Sequence, residues 1–81
     1  MNNSELIINF AKKMGKDISK DTEKFDWSKS DIWWLFSYLG KEVNSMDRAI
    51  TNNDSANLVE EKAVSIANLA MIIANKYSST T

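Results

Sequence analysis

Nine consecutive residues near the C-terminus, Ile66-Ala-Asn-Leu-Ala-Met-Ile-Ile-Ala74, carry one polar side chain, Asn68. Wound into a helix, they are apolar on every side, whereas a surface helix of a soluble domain needs only one apolar stripe. Such a segment must be covered around most of its circumference. A chain of 81 residues has few elements to do that, so the segment predicts self-association as well as a helix. It is less than half of the roughly 20 apolar residues that span a bilayer. The start, Met1-Asn-Asn-Ser-Glu5, lacks the basic stretch and apolar run of a signal peptide. The expectation is a cytoplasmic protein with no membrane partner.

The length predicts one domain, residues 1–81. A chain of this size buries roughly 60% of its unfolded surface, so its core needs reinforcement from disulfides, metals or oligomerisation. Cysteine and histidine are both absent. Disulfides, zinc sites of the Cys/His type and nucleophile–histidine catalysis are thereby excluded, and oligomerisation is what remains. The net charge of −1, from 10 basic and 11 acidic residues, offers no basic footprint for nucleic acid.

With no proline, two glycines and no strand-like alternation, the chain reads as three helices. The first is expected over Ser4–Ser19, capped by Asn3 or Ser4 with Glu5 in its first turn. Its apolar face is Leu6, Ile7, Phe10, Ala11 and Met14, opposite Lys12, Lys13, Lys16 and Lys20, which read as a solvated face. Gly15 weakens its later half. Residues 18–27 form a polar connection that Phe25 and Trp27 would pin to the core. A second helix is expected from Ser28, with Asp31 completing a capping box, to Thr51. A third follows a turn at Thr51–Ser55, capped by Asp54 or Ser55, and runs to Tyr77 with a loose tail beyond.

Ile32, Phe36, Leu39, Val43, Met46 and Ile50 recur at steps of 4, 3, 4, 3, 4, and so do Val59, Ala63, Ile66, Ala70, Ile73 and Tyr77. Two such seams joined by a short turn predict an antiparallel helical hairpin in which each seam faces the other. The N-terminal helix would lie across it. Ala63, Ala67, Ala70 and Ala74 let a neighbouring helix approach closely. Leu69, Met71 and Ile72, together with Trp34 and Tyr38, are left over and predict an interface in a homodimer or tetramer.

The stretch Trp34-Leu-Phe-Ser-Tyr-Leu-Gly-Lys-Glu-Val-Asn-Ser-Met-Asp-Arg-Ala-Ile50, a short Asn/Asp turn, and Glu61-Lys-Ala-Val-Ser-Ile-Ala-Asn-Leu-Ala-Met-Ile-Ile-Ala-Asn75 follow one another in this order. Over residues 27–77 the chain resembles the MazG-like branch of the all-α nucleoside triphosphate pyrophosphohydrolases. The resemblance implies a helical dimer or tetramer. It also implies Mg²⁺-dependent hydrolysis of nucleoside triphosphates, served by Glu-Glu-x-x-Glu on one helix and Glu-x-x-Asp on the next. Those spacings gather acids on one helix face, as a hard cation with oxygen ligands requires. Here the first motif aligns with Lys41-Glu42-Val43-Asn44-Ser45 and the second with Lys62-Ala63-Val64-Ser65. Of the five acids only Glu42 survives, and no shift of register recovers a Glu-x-x-Asp pair. The expectation is a non-enzyme with no catalytic residues, no metal site and no Mg²⁺ or other cofactor. Glu42 is then a salt-bridge partner for a lysine of the Lys41 face or of helix 3.

Two functions remain. One is a non-catalytic scaffold that binds or sequesters a nucleotide or nucleotide-derived ligand. Trp34, Tyr38, Lys41 and Ser45 share a face that suits base stacking and phosphate pairing, and the resemblance adds Glu42, Lys62, Ser65 and Asn68 to that site. The other is a small interaction or inhibitor protein, of a kind that would suit a phage or mobile element. In a structural role Asn68 is a buried amide that fixes helix register, and the aromatic face is interface packing.

Overall fold

A computed structural model describes residues 2–21 and 30–80. Its regular structure is α1 (Asn3–Asp21), α2 (Ile32–Thr51) and α3 (Ala56–Thr80), with no strand among the described residues. The chain is all-α, as its periodicity predicts. No helix among those residues is long and apolar enough to cross a membrane.

The helix ends differ from the sequence expectation in instructive ways. Asn2, not Asn3 or Ser4, caps α1: its Oδ1 accepts the Glu5 N–H at 2.8 Å, satisfying one of the free amides of the first turn. Gly15 does not end the helix, which runs on to Asp21. The cost of a helical glycine, about 1 kcal/mol, is offset by the contacts that tie Met14 and Asp17 to α3. At α2 the boundary is Asp31, whose backbone is extended (φ −67°, ψ 142°) and whose side chain makes no capping bond. The expected Ser28 cap, and the pinning of the connection by Phe25 and Trp27, lie outside the described residues. Ser55 caps α3, its Oγ accepting the Leu58 N–H at 3.2 Å. The far end of α3 is helical to Thr80 rather than loose from Ser78, and the Ser78 hydroxyl donates back to the Ala74 carbonyl at 3.0 Å.

Between α2 and α3 the chain reverses on one left-handed residue, Asn53 (φ 55°). The Asn53 N–H donates to the Ile50 carbonyl at 3.1 Å and the Asp54 N–H to the Ala49 carbonyl at 2.9 Å. These two bonds form a Schellman closure, with asparagine in the left-handed position that glycine usually fills. The tight turn lays α2 antiparallel against α3, while α1 packs on a different side of α3. The Ile66–Ala74 segment thus sits in the middle helix, covered from two directions.

Half of the expected seam is covered, with Ile32, Leu39 and Met46 of α2 and Val59, Ile66 and Ile73 of α3 half-buried, and the other half is displaced from the contact. Leu35 and Ala49 of α2 and Val64 and Leu69 of α3 are the buried apolar residues, each at most 5% exposed. In α2 the contact face therefore follows 35, 42 and 49, and the polar Glu42 lies on it. The more apolar series Phe36, Val43 and Ile50, one residue further on, is 57%, 48% and 54% exposed. On α3, Ala70 and Tyr77 of the predicted seam are likewise exposed. Both series step by seven, so periodicity alone does not choose between them; Glu42 of the buried series meets Lys62 across the hairpin. Leu69 also departs from its expected place at an interface. It follows Lys62 by seven residues, hence lies on the same side of α3, and packs inside the chain with 2% exposure. Met71 is exposed and Ile72 half-buried.

Candidate functional site

The eight candidate residues separate into three environments. Glu42 and Lys62 meet across the α2–α3 contact, and Ser45 and Ser65, three residues further along each helix, are half-buried like them. The Lys62 ammonium lies 3.7 Å from Glu42 Oε2, with the two side chains 28% and 17% exposed. One helical turn separates Glu42 from Ser45 and Lys62 from Ser65, so the two short hydroxyl residues flank the ion pair. At partial burial, opposite charges at this distance attract more than they would in water, and each lowers the other's desolvation cost.

A divalent metal does not fit here. Mg²⁺ asks for several anionic or carbonyl oxygens in octahedral array. This cluster offers one carboxylate, already engaged by an ammonium, and two hydroxyls. Among the described residues no group of three or more Asp, Glu, His or Cys side chains is placed to share a cation.

Asn68 faces the other way, toward α1. Its Nδ2 donates to the Met14 carbonyl at 3.0 Å and to Asp17 Oδ2 at 2.9 Å. At 3% exposure it is the buried polar side chain of α3, and its Oδ1 has no hydrogen-bond partner. An amide that bridges a main-chain carbonyl and a carboxylate of one helix fixes both the height and the rotation of that helix on its neighbour. This is the geometry of the register role.

Trp34, Tyr38 and Lys41 form the third environment, on a side of α2 adjoining the α3 contact. The Trp34 and Tyr38 rings are 5.4 Å apart at 48°, a tilted pair within the range of favourable aromatic contact. With Ser37 and the exposed Lys41 they line a shallow cleft of 110 Å³. That is well below the roughly 300–1,000 Å³ of a site that encloses a small molecule.

Comparisons with protein-family models, with curated proteins and with solved structures return no match for this chain.

Sequence reasoning did not find the residues of α1 that hold it in place. Lys13 pairs with Glu60 of α3 at 2.9 Å, and Asp17 receives Asn68. A lone amide in an apolar helix signals that a polar partner exists. It does not name the partner, because Asp17 lies 51 residues away in the chain.

Proposed function

We propose that the chain is a non-catalytic helical scaffold of MazG-like kind that acts through protein–protein interaction. The observation that carries this reading is the Glu42–Lys62 ion pair. It occupies the positions that the resemblance assigns to metal-binding acids, and it meets across the hairpin where those acids would have to converge. A cation and an anion that neutralise each other hold two helices together; they do not polarise a phosphate. The interaction reading draws support from the engagement of Glu42 with Lys62 and of Asn68 with α1, which occupies three of the proposed ligand contacts within the chain. It draws further support from the large apolar side chains that remain exposed on α2.

The Trp34–Tyr38 pair beside Lys41 favours a second reading, in which a nucleotide or nucleotide-derived anion stacks on this open face. Thermal shift with a panel of nucleotides, with and without Mg²⁺, separates the two, since a ligand of the native state raises Tm. The interaction reading expects no shift from any nucleotide. A metal-independent rise that Lys41→Ala removes would establish the second. Pyrophosphate release from a nucleoside triphosphate, lost on Glu42→Ala, overturns both.

A further inference from the structure

The apolar residues of α1 do not all go where the helix docks. α1 meets α3 through Lys13, Met14 and Asp17, and its half-buried side chains are Phe10, Met14, Asp17 and Ile18. Leu6, Ile7 and Ile8, two turns earlier, are 57%, 67% and 55% exposed. Three consecutive side chains are spread over about 200° of a helix, which is wider than the single stripe by which a helix packs on a core. Ile7, Ala11 and Gly15 recur every fourth residue and continue this open side along the helix. Ala11 is exposed, and nothing beyond the local helix backbone lies within 4 Å of the place a Cβ would take at Gly15. The shallow apolar groove along Leu6, Ile7, Phe10, Ala11 and Met14 is lined, among the described residues, by α1 alone.

The next positions around the helix are basic. Lys12, Lys16 and Lys20 are exposed, follow one another at steps of four, and line an open groove together with Gly15 and Ser19. Lys12 and Lys16 stand about 40° and 80° around the axis from Ile8, at the edge of the apolar strip. Neither has an acid three or four positions away, and lysines at that spacing repel one another.

We propose that α1 is an interfacial helix: it lays Leu6, Ile7, Ile8 and Ala11 into an anionic membrane surface, with Lys12 and Lys16 at the level of the lipid phosphates. The chain shows no spanning helix among the described residues, and a helix that lies in the interface needs none. Such helices join a lysine-rich polar face to an apolar one, and bind through apolar area plus attraction to anionic lipid. Composition favours lipid over a groove on a protein. Protein interfaces are enriched in Arg, Tyr and Trp and depleted in Lys, whereas α1 has four lysines and no Arg, Tyr or Trp. Lysine is a compact point charge on a flexible stem, suited to a diffuse layer of phosphates rather than to forked carboxylate pairing. Its stem lies along apolar surface while the ammonium reaches outward. Two of the acids about α1 are engaged within the chain, Glu60 by Lys13 and Asp17 by Asn68. Glu5, in the first turn, opposes the attraction, so the binding is weak, reversible and sensitive to salt.

The test is co-flotation of the full chain with vesicles of equal parts phosphatidylserine and phosphatidylcholine, and with vesicles of phosphatidylcholine alone. Flotation separates lipid-bound protein from aggregate, which sinks. The chain should rise with the first vesicles and not with the second, and should be released at about 1 M salt, where the screening length is about 3 Å. Ile7→Asp should lower the affinity about tenfold, and so should Lys12→Gln combined with Lys16→Gln. Both changes lie at exposed positions, so the circular dichroism and Tm should stay those of the wild type. Ile50→Asp, on the exposed stripe of α2, should leave binding unchanged. Failure to rise with either vesicle overturns the proposal and leaves the strip on α1 to a protein. Equal flotation with both vesicles overturns it by removing the lysines from the contact. Binding lost in Ile50→Asp and kept in Ile7→Asp overturns it by moving the contact to α2.

Discussion

The hairpin has two heptad faces, and they differ in the opposite sense from what hydrophobicity alone would choose. The inner face, which holds α2 to α3, is built from Leu35, Ala49 and Leu69 around the charged pair Glu42–Lys62. The outer face carries Phe36, Val43, Ile50 and Tyr77 and stays exposed. A contact within one chain tolerates a polar pair because a short turn holds the helices together and the loop-closure cost is small.

The comparison breaks most visibly at Leu69. Leu69→Ala removes a side chain buried on the inner face and should cost about 2–5 kcal/mol, a large part of the stability of so small a domain; chemical denaturation measures it. Phe36→Ala, at a position 57% exposed, should cost under a third as much. Equal losses would show that the two faces are not distinct. Asn68→Leu comes next. It forfeits both bonds to α1, at about 1–3 kcal/mol, and amide exchange should accelerate in α1 while α2 and α3 keep most of their protection. Uniform acceleration would mean that α1 is not held separately. The ion pair is expected to matter less. Lys62→Met alone strands a half-buried carboxylate and should cost about 1 kcal/mol, and adding Glu42→Leu should recover most of it. A double variant no more stable than the single would give the pair a role beyond holding helices. Smallest is Lys13→Ala. Its bond to Glu60 is short, but both side chains are nearly half exposed, and the change should fall within about 0.5 kcal/mol.

Element type and number were legible because the apolar residues of α2 and α3 repeat at helical spacing and nothing competes with them. The hairpin turn was legible from Asn52-Asn53-Asp54, the residue types that adopt left-handed backbone with the least strain. What the chain did not disclose was rotation. Positions 35/42/49 and 36/43/50 share one period, and the partners that distinguish them, Lys62 among them, are remote in sequence. The cap of α1 moved to Asn2 for a similar reason: Asn2, Asn3 and Ser4 are all competent, and only the geometry of the first turn selects among them. At the candidate site, the ion pair at Glu42 was readable from the loss of the acids around it. The attachment of Asn68 to Met14 and Asp17 was not, since a main-chain carbonyl leaves no mark in a sequence.

Asn53 has a consequence beyond the turn. A residue less tolerant of the left-handed conformation would strain the turn by about 1–2 kcal/mol; with the turn lost altogether, α2 and α3 would fuse through residues 52–55 into a single rod of about 70 Å. Two such rods lying antiparallel could rebuild every hairpin contact between molecules, Glu42 of one meeting Lys62 of the other, as hinge-opened proteins do when they exchange segments. The left-handed kink at Asn53 thus keeps the pairing of the chain's two long helices within one molecule.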